Sequence, residues 1–422
     1  MMVKVVLLLY VFSFMYGVPE KILLWQGLPF PKVFALLVYL ALGFAGIYAI
    51  LFKFRKSHLD WFVLGYLIFN IFLIFHPQQN ILAGMIGFKD NGLPILWYFI
   101  ARSFLSESNI HKFYRINVWT LLLLAGYGLY MVMIGLPIWD QYWLNHFGKE
   151  YASNLYHGSA LRIWGPMNNF TEYGVSLAVL LGFSAVFCKD FTLGKKRIYE
   201  ITILLSLVFY GLINLYTPER TPLGILLIIM VVMFVRWMYI GRRKMFNTIL
   251  KIYGLLSMGL ITGLSFLYLL NRARTSAFKE LGELVIPWKA DSVVSRYTFW
   301  KSTWSLFLKN PQGIGIGNLS ASIRYWLGAS SYIAPHQNFI SIGLGYGLIG
   351  LALFCFLLVA FFWSNLKSAA YAKKLLQNKV AYFKMSILLA WIVVSFFQLP
   401  FTGHLAKLFW VIMGLTVFTK KF

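Results

Sequence analysis

Pro335-His336-Gln337-Asn338 closes a long, arginine-bearing polar stretch and opens an apolar run from Phe339 to Trp363. A histidine set where a water-facing loop meets a membrane helix can move a proton near neutral pH. Pro335 biases the backbone ahead of it toward extended or turn geometry. The plainer reading is an interfacial histidine that only caps the helix. Ionisable groups at membrane depth are usually functional, which favours a base. Arginines surround it in sequence. Arg220 lies in Thr217-Pro218-Glu219-Arg220-Thr221-Pro222, a short proline-bracketed turn that would aim a guanidinium at phosphate oxygens. The same arginine could equally be a snorkelling anchor paired with Glu219. Arg296 heads an aromatic stretch, Ser295–Leu308, and Arg162 begins Arg162-Ile163-Trp164-Gly165-Pro166-Met167-Asn168-Asn169. Each cation alone is ordinary surface charge. With Arg272, Arg274 and Arg324, they would form a basic mouth that concentrates anions. A base beside fixed cations suits transfer of a group from a phosphate-linked donor.

Other signals are weaker. Gly313-x-Gly315-x-Gly317 lacks the strand, helix and downstream acid of a dinucleotide fingerprint. It reads as a turn, with amides near enough to a phosphate to assist. Gly343, Gly347 and Gly350 form a small-residue stripe that permits close helix packing and would hold His336 on a rigid support. The outward acidic residues, Asp140 and Glu172 among them, form no tight pair that calls for a divalent metal. No metal and no cofactor is expected. Cys188 and Cys355 fall too far apart in the expected topology for a disulfide.

The elements that must position these residues are membrane helices. The chain has 422 residues, 60% hydrophobic and 12% charged. About twelve apolar runs are long enough to read as spans. They are 5–16, 33–52, 61–75, 81–104 (interrupted), 118–135, 173–187, 198–216, 223–239, 252–270, 339–363, 387–399 and 405–418. The expectation is an all-α polytopic membrane protein, one integral domain over residues 1–422, with a long external loop at 271–337. The net charge of +25 sits mostly in clusters that fall on one side of a twelve-span topology, together with both termini. The positive-inside rule makes that side cytoplasmic. Topology thus accounts for the basic excess, and nucleic acid is excluded as a partner.

The motifs together resemble the O-antigen ligase and Wzy-type polysaccharide polymerase superfamily. His336-Gln337, nine residues, then Gly347-Leu348-Ile349-Gly350 is similar to that family's histidine signature. Glu219-Arg220-Thr221-Pro222 resembles its Ser-Arg-Thr turn, with Glu219 in place of a small residue. Ser295-Arg296 with Trp300 and the Pro311–Gly315 turn resembles its large periplasmic loop. Arg162 to Asn169 resembles its R-x-x-G-x-x-x-N segment, so the likeness covers roughly residues 160–363. The resemblance implies a metal-independent, inverting glycosyltransferase of the GT-C type in a bacterial inner membrane. Its substrate would be glycan on undecaprenyl diphosphate at the periplasmic face. His336 would be the base; Arg220, Arg296 and Arg162 would hold the diphosphate; Gln337, Asn338, Glu219, Gly347 and Gly350 would support them. Gly87-Phe88-Lys89 resembles a polymerase segment, which favours polymerisation of repeat units over ligation to lipid A–core. A chain-length regulator or a flippase are candidate partners. A lipid-linked oligosaccharide transporter is the alternative from another class, opposed by the absence of an internal repeat.

Overall fold

A computed structural model describes residues 2–28, 33–54, 57–105, 109–145, 156–157, 160–161, 163–167, 169–191, 196–216, 220–240, 291–319, 338–372, 374–396, 401 and 403–415. Helices dominate, joined by one two-residue antiparallel hairpin that pairs Tyr156 with Leu161 and His157 with Ala160. In chain order the helices are α1 (Met2–Met15), α2 (Gly17–Trp25), α3 (Val33–Lys53), α4 (His58–Phe72), α5 (Ile81–Asn91), α6 (Leu96–Phe104), α7 (Ile110–Met133), α8 (Phe170–Phe191), α9 (Lys196–Tyr216), α10 (Arg220–Ile240), α11 (Asp291–Lys309), α12 (Asn338–Ala370), α13 (Leu375–Ser395) and α14 (Gly403–Gly414). Among the described residues six helices are long and apolar enough to cross a membrane, or seven if α1 and α2, bent by 52°, form one span. The expected span 252–270 lies outside the described residues.

Helix α3 shows the solvent these faces are built for. Leu36, Leu37, Leu40, Phe44, Ile47 and Leu51 are exposed, while Ala35, Val38, Leu42, Gly46 and Ala49 are buried. The outer face is the more apolar of the two. Only a lipid surround makes that arrangement stable, because helices satisfy their own backbone groups and need no water.

Chain direction follows from pair contacts. A Cβ on Gly174 of α8 would come 2.8 Å from Pro222 of α10, and one on Gly182 would come 2.9 Å from Ile229. Both positions advance together, so α8 and α10 are parallel. Helix α13 runs against them: Arg236 near the end of α10 donates from Nε to Asn378 Oδ1 at 2.7 Å, and Lys379 meets Asp190 of α8 at 2.6 Å. The Phe339 and Phe396 rings lie 5.4 Å apart, which sets the start of α12 beside the end of α13. The N-termini of α8, α10 and α12 therefore share one end of the bundle.

The structure corrects several boundaries. The interrupted fourth run is two short helices, broken where Gly92 and Pro94 lead through a 3-10 turn. Residues 17–25, expected in an external connection, form α2. Helix α13 begins at Leu375 instead of Ile387, so Lys379 and Lys384 belong to the helix and not to a loop cluster. Both turn inward, Lys379 to Asp190 and Lys384 to the Leu415 carbonyl at 2.8 Å, and a hydropathy window cannot register that.

The glycine stripe also proves to be two different devices. Gly343 and Gly350 leave room for the Phe307 and Phe69 rings, as close packing requires. Gly347 instead breaks α12, with φ 73° and ψ −179°. A Cβ there would lie 2.5 Å from the Gln312 carbonyl oxygen, in a backbone region that is essentially glycine-only. Gly347→Ala should lower stability by about 2–3 kcal/mol. Chemical denaturation of the purified protein measures this, and an unchanged midpoint would contradict it.

Candidate functional site

The break at Gly347 is the mechanical centre of the region that follows His336. It frees the Leu348 amide to donate to Pro311 O at 2.8 Å, and the Leu344 carbonyl to accept from Ile314 N at 2.7 Å. The 310–318 turn is thereby stitched to α12. On its other side Gly317 N donates to Gln79 Oε1 at 2.7 Å, and Asn318 Nδ2 donates to Gln78 O at 3.0 Å. Gln79 itself ties back to Leu73 O and Ile74 O through Nε2, at 2.5 and 3.2 Å. A Cβ on Gly87 would sit 2.6 Å from Ile316 C, so the Gly87-Phe88-Lys89 segment packs on the same turn. The glycine-rich stretch is thus a turn, as its sequence indicates. Its Gly313, Ile314 and Gly317 amides are already bonded within the protein, which removes them as phosphate donors.

Asn338 opens α12 and is 1% exposed. Its Nδ2 has no hydrogen-bond partner among the described residues. A buried amide left without a partner costs on the order of 1–3 kcal/mol, and a polar substrate beside it would recover that. Asn338→Leu, of similar volume, should shift stability by less than about 1 kcal/mol while slowing transfer by about tenfold or more. Thermal unfolding and a turnover assay on the same preparation separate the two effects. Equal activity of the two proteins would make Asn338 purely structural.

The second anchor carries the segment after Arg162. Trp164, Gly165, Pro166 and Met167 are buried, and Gly165 has φ 56° with the Tyr173 ring where a Cβ would stand. Beneath them Lys21 and Asp140, 1% and 0% exposed, form an ion pair at 2.5 Å. Asp140 also accepts from Trp164 Nε1 at 3.1 Å and from the Tyr127 hydroxyl. The Lys21 ammonium lies 5.2 Å from the Trp143 ring centroid and 5.8 Å from that of Trp164. It also reaches Gly165 O at 3.4 Å. Asp140 is thus paired with a lysine 119 positions away in the chain and not with a second carboxylate. No local spacing could have revealed it, although Trp-Asp at 139–140 and an acid–base dipeptide at 20–21 are unusual in so apolar a chain.

At α8 the Asn169 side chain caps the helix, Oδ1 accepting from Thr171 N at 2.9 Å and Glu172 N at 3.2 Å. Arg220 is the first residue of α10. The structure thus brings the backbone of Arg220, Asn338 and the 163–167 segment to one end of the bundle, where three helix N-termini favour anions. Arg296 lies on α11, which packs on α12 through Phe307 and Gly343. His336, Gln337, Arg162 and Glu219 lie outside the described residues, as do the Arg220 and Arg296 side chains.

Residues 205–355 match the family described as O-antigen ligase. Over that stretch the chain is similar to the O-antigen ligase and Wzy superfamily. The matched stretch contains Arg220, Arg296, His336, Gly347 and Gly350, and starts after Arg162. No curated protein matches the chain. A family of glycan-transferring membrane enzymes implies a lipid-linked donor and an acceptor, and the several apolar helices make the protein multi-pass.

Proposed function

We propose that the protein is a membrane glycosyltransferase that polymerises surface-polysaccharide repeat units carried on undecaprenyl diphosphate. The observation that carries this is the family match over His336 to Gly350, coupled to the gathering of the Arg220 and Asn338 helix starts at one end. In this reading His336 removes the proton from an acceptor sugar hydroxyl, which attacks the anomeric carbon. Configuration inverts in one displacement, and the diphosphate departs onto Arg220, Arg296 and Arg162. A departing diphosphate needs fixed cations in a low-dielectric site, and an attacking hydroxyl needs a base matched to ambient pH. Neither step calls for a metal or a nucleotide sugar. Gln337, Glu219, Gly347 and Gly350 support these groups. The proposal includes a twelve-span, GT-C-type single domain over residues 1–422 in a bacterial inner membrane. Both termini are cytoplasmic, and the 271–337 loop and active site periplasmic.

Ligation of the glycan to lipid A–core is the second reading, favoured by the description of the matching family itself. The glycan profile of cells lacking the native protein, with and without complementation, distinguishes them. Polymerisation predicts single repeat units on the acceptor without the protein and a ladder with it. Long undecaprenyl-linked chains beside bare lipid A–core, in cells without the protein, would replace this reading with ligation.

A further inference from the structure

The end of the bundle opposite the candidate site holds a cavity that glycan transfer does not use. Arg102, Lys384, Ser364, Ser368 and Asn365 supply its polar lining, within a volume of about 40 Å³. That is room for about three water-sized groups. Ser364 and Ser368 stand one turn apart on α12, some 26 residues beyond Asn338. From the break at Gly347 to Ser364 the helix is continuous and rises roughly 26 Å at 1.5 Å per residue.

Among the described residues the lining holds two basic side chains and no acidic one. Arg102 pairs with Asp60 and donates to Ser57 Oγ at 3.1 Å. Asp60 is itself engaged by the Tyr98 hydroxyl at 2.7 Å and by Ser57 Oγ at 2.6 Å. Lys384 donates to Leu415 O at 2.8 Å, which uses one of its three hydrogens. The charges acting on it are Arg102 and Asp60. Two cations thus share one carboxylate, beside two hydroxyls and an amide. An anion with several oxygens would relieve the repulsion and accept those donors.

The residues beside the cavity have the composition of a membrane–water boundary. Trp363, next to Ser364 on α12, and Tyr371, just past the end of that helix, are 56% and 71% exposed, and Lys367 Nζ sits 5.5 Å from the Trp363 ring centroid. Exposed tryptophan and tyrosine beside lysine mark the membrane–water boundary. Basic pockets between helices at that depth suit phosphorylated lipid headgroups. We infer that this cavity binds a phosphate group, from an anionic phospholipid or from free phosphate.

The test is thermal unfolding of the full-length, detergent-purified protein in three conditions: detergent alone, added phosphatidylglycerol, and inorganic phosphate at matched ionic strength. Wild type is compared with Lys384→Met and with the double variant Ser364→Ala/Ser368→Ala. A rise of about 3 °C in wild type, lost or halved in the variants, is expected. A rise with lipid alone names the headgroup as the source; a rise with phosphate alone names the free anion. If Lys384→Met fails to fold, the serine variant carries the comparison. No rise in either condition, or a rise that the folded variants retain in full, overturns the inference.

Discussion

His336→Ala should reduce glycan transfer by about a thousandfold while leaving the protein folded. A positioned general base contributes on the order of 10²–10⁴ to rate, and alanine offers nothing in its place. The fold should tolerate the change, because α12 begins after His336 and is fastened by Phe339 and Gly350 and by the bonds at Gly347. Transfer from a purified undecaprenyl-diphosphate-linked donor measures the loss, with thermal unfolding as the control. A variant that transfers at the wild-type rate would remove His336 from the chemistry. It would also revive the transporter reading, which has no use for a base.

Lys21→Met should cost about 3–5 kcal/mol of stability. Among the described residues the substitution leaves the buried Asp140 carboxylate with Trp164 and Tyr127 as donors, and a single charge held without its counter-ion is the expensive state. Lys21→Met/Asp140→Leu should recover much of the loss, since removing both charges also removes the desolvation penalty. Activity should respond more sharply than stability, because the pair holds Trp164 and Gly165, two and three residues after Arg162. Urea denaturation of the two variants, with a transfer assay beside it, gives both readouts. If Lys21→Met alone unfolds at the wild-type midpoint, the pair contributes nothing net.

Legibility followed the range of the interaction. The apolar runs 33–52, 61–75, 173–187 and 339–363, and the described parts of 118–135 and 387–399 up to Met133 and Ser395, fall on helices that meet the length and hydropathy of a span. Hydropathy is local and additive, so a window over the sequence detects it. The Gly313–Gly317 turn was legible for the same reason, since closely spaced glycines dictate backbone geometry unaided. Gly347 was visible as part of a signature, but its left-handed φ was not. A helix of small residues and a helix broken at one of them have the same composition, and only the docking of Pro311 and Gln312 decides between them.

By itself, then, the sequence determined that this is a helical membrane protein and which stretch of it is similar to the O-antigen ligase family. Both follow from near-neighbour chemistry: side-chain hydrophobicity over twenty residues, and residue types at fixed short spacings. Tertiary structure alone decided that Lys21 pairs with Asp140, that Lys379 and Lys384 turn inward, and that α8 and α10 start side by side. Those are contacts between charges and surfaces as much as 189 positions apart. Burial makes them strong, and burial exists only once the helices have packed.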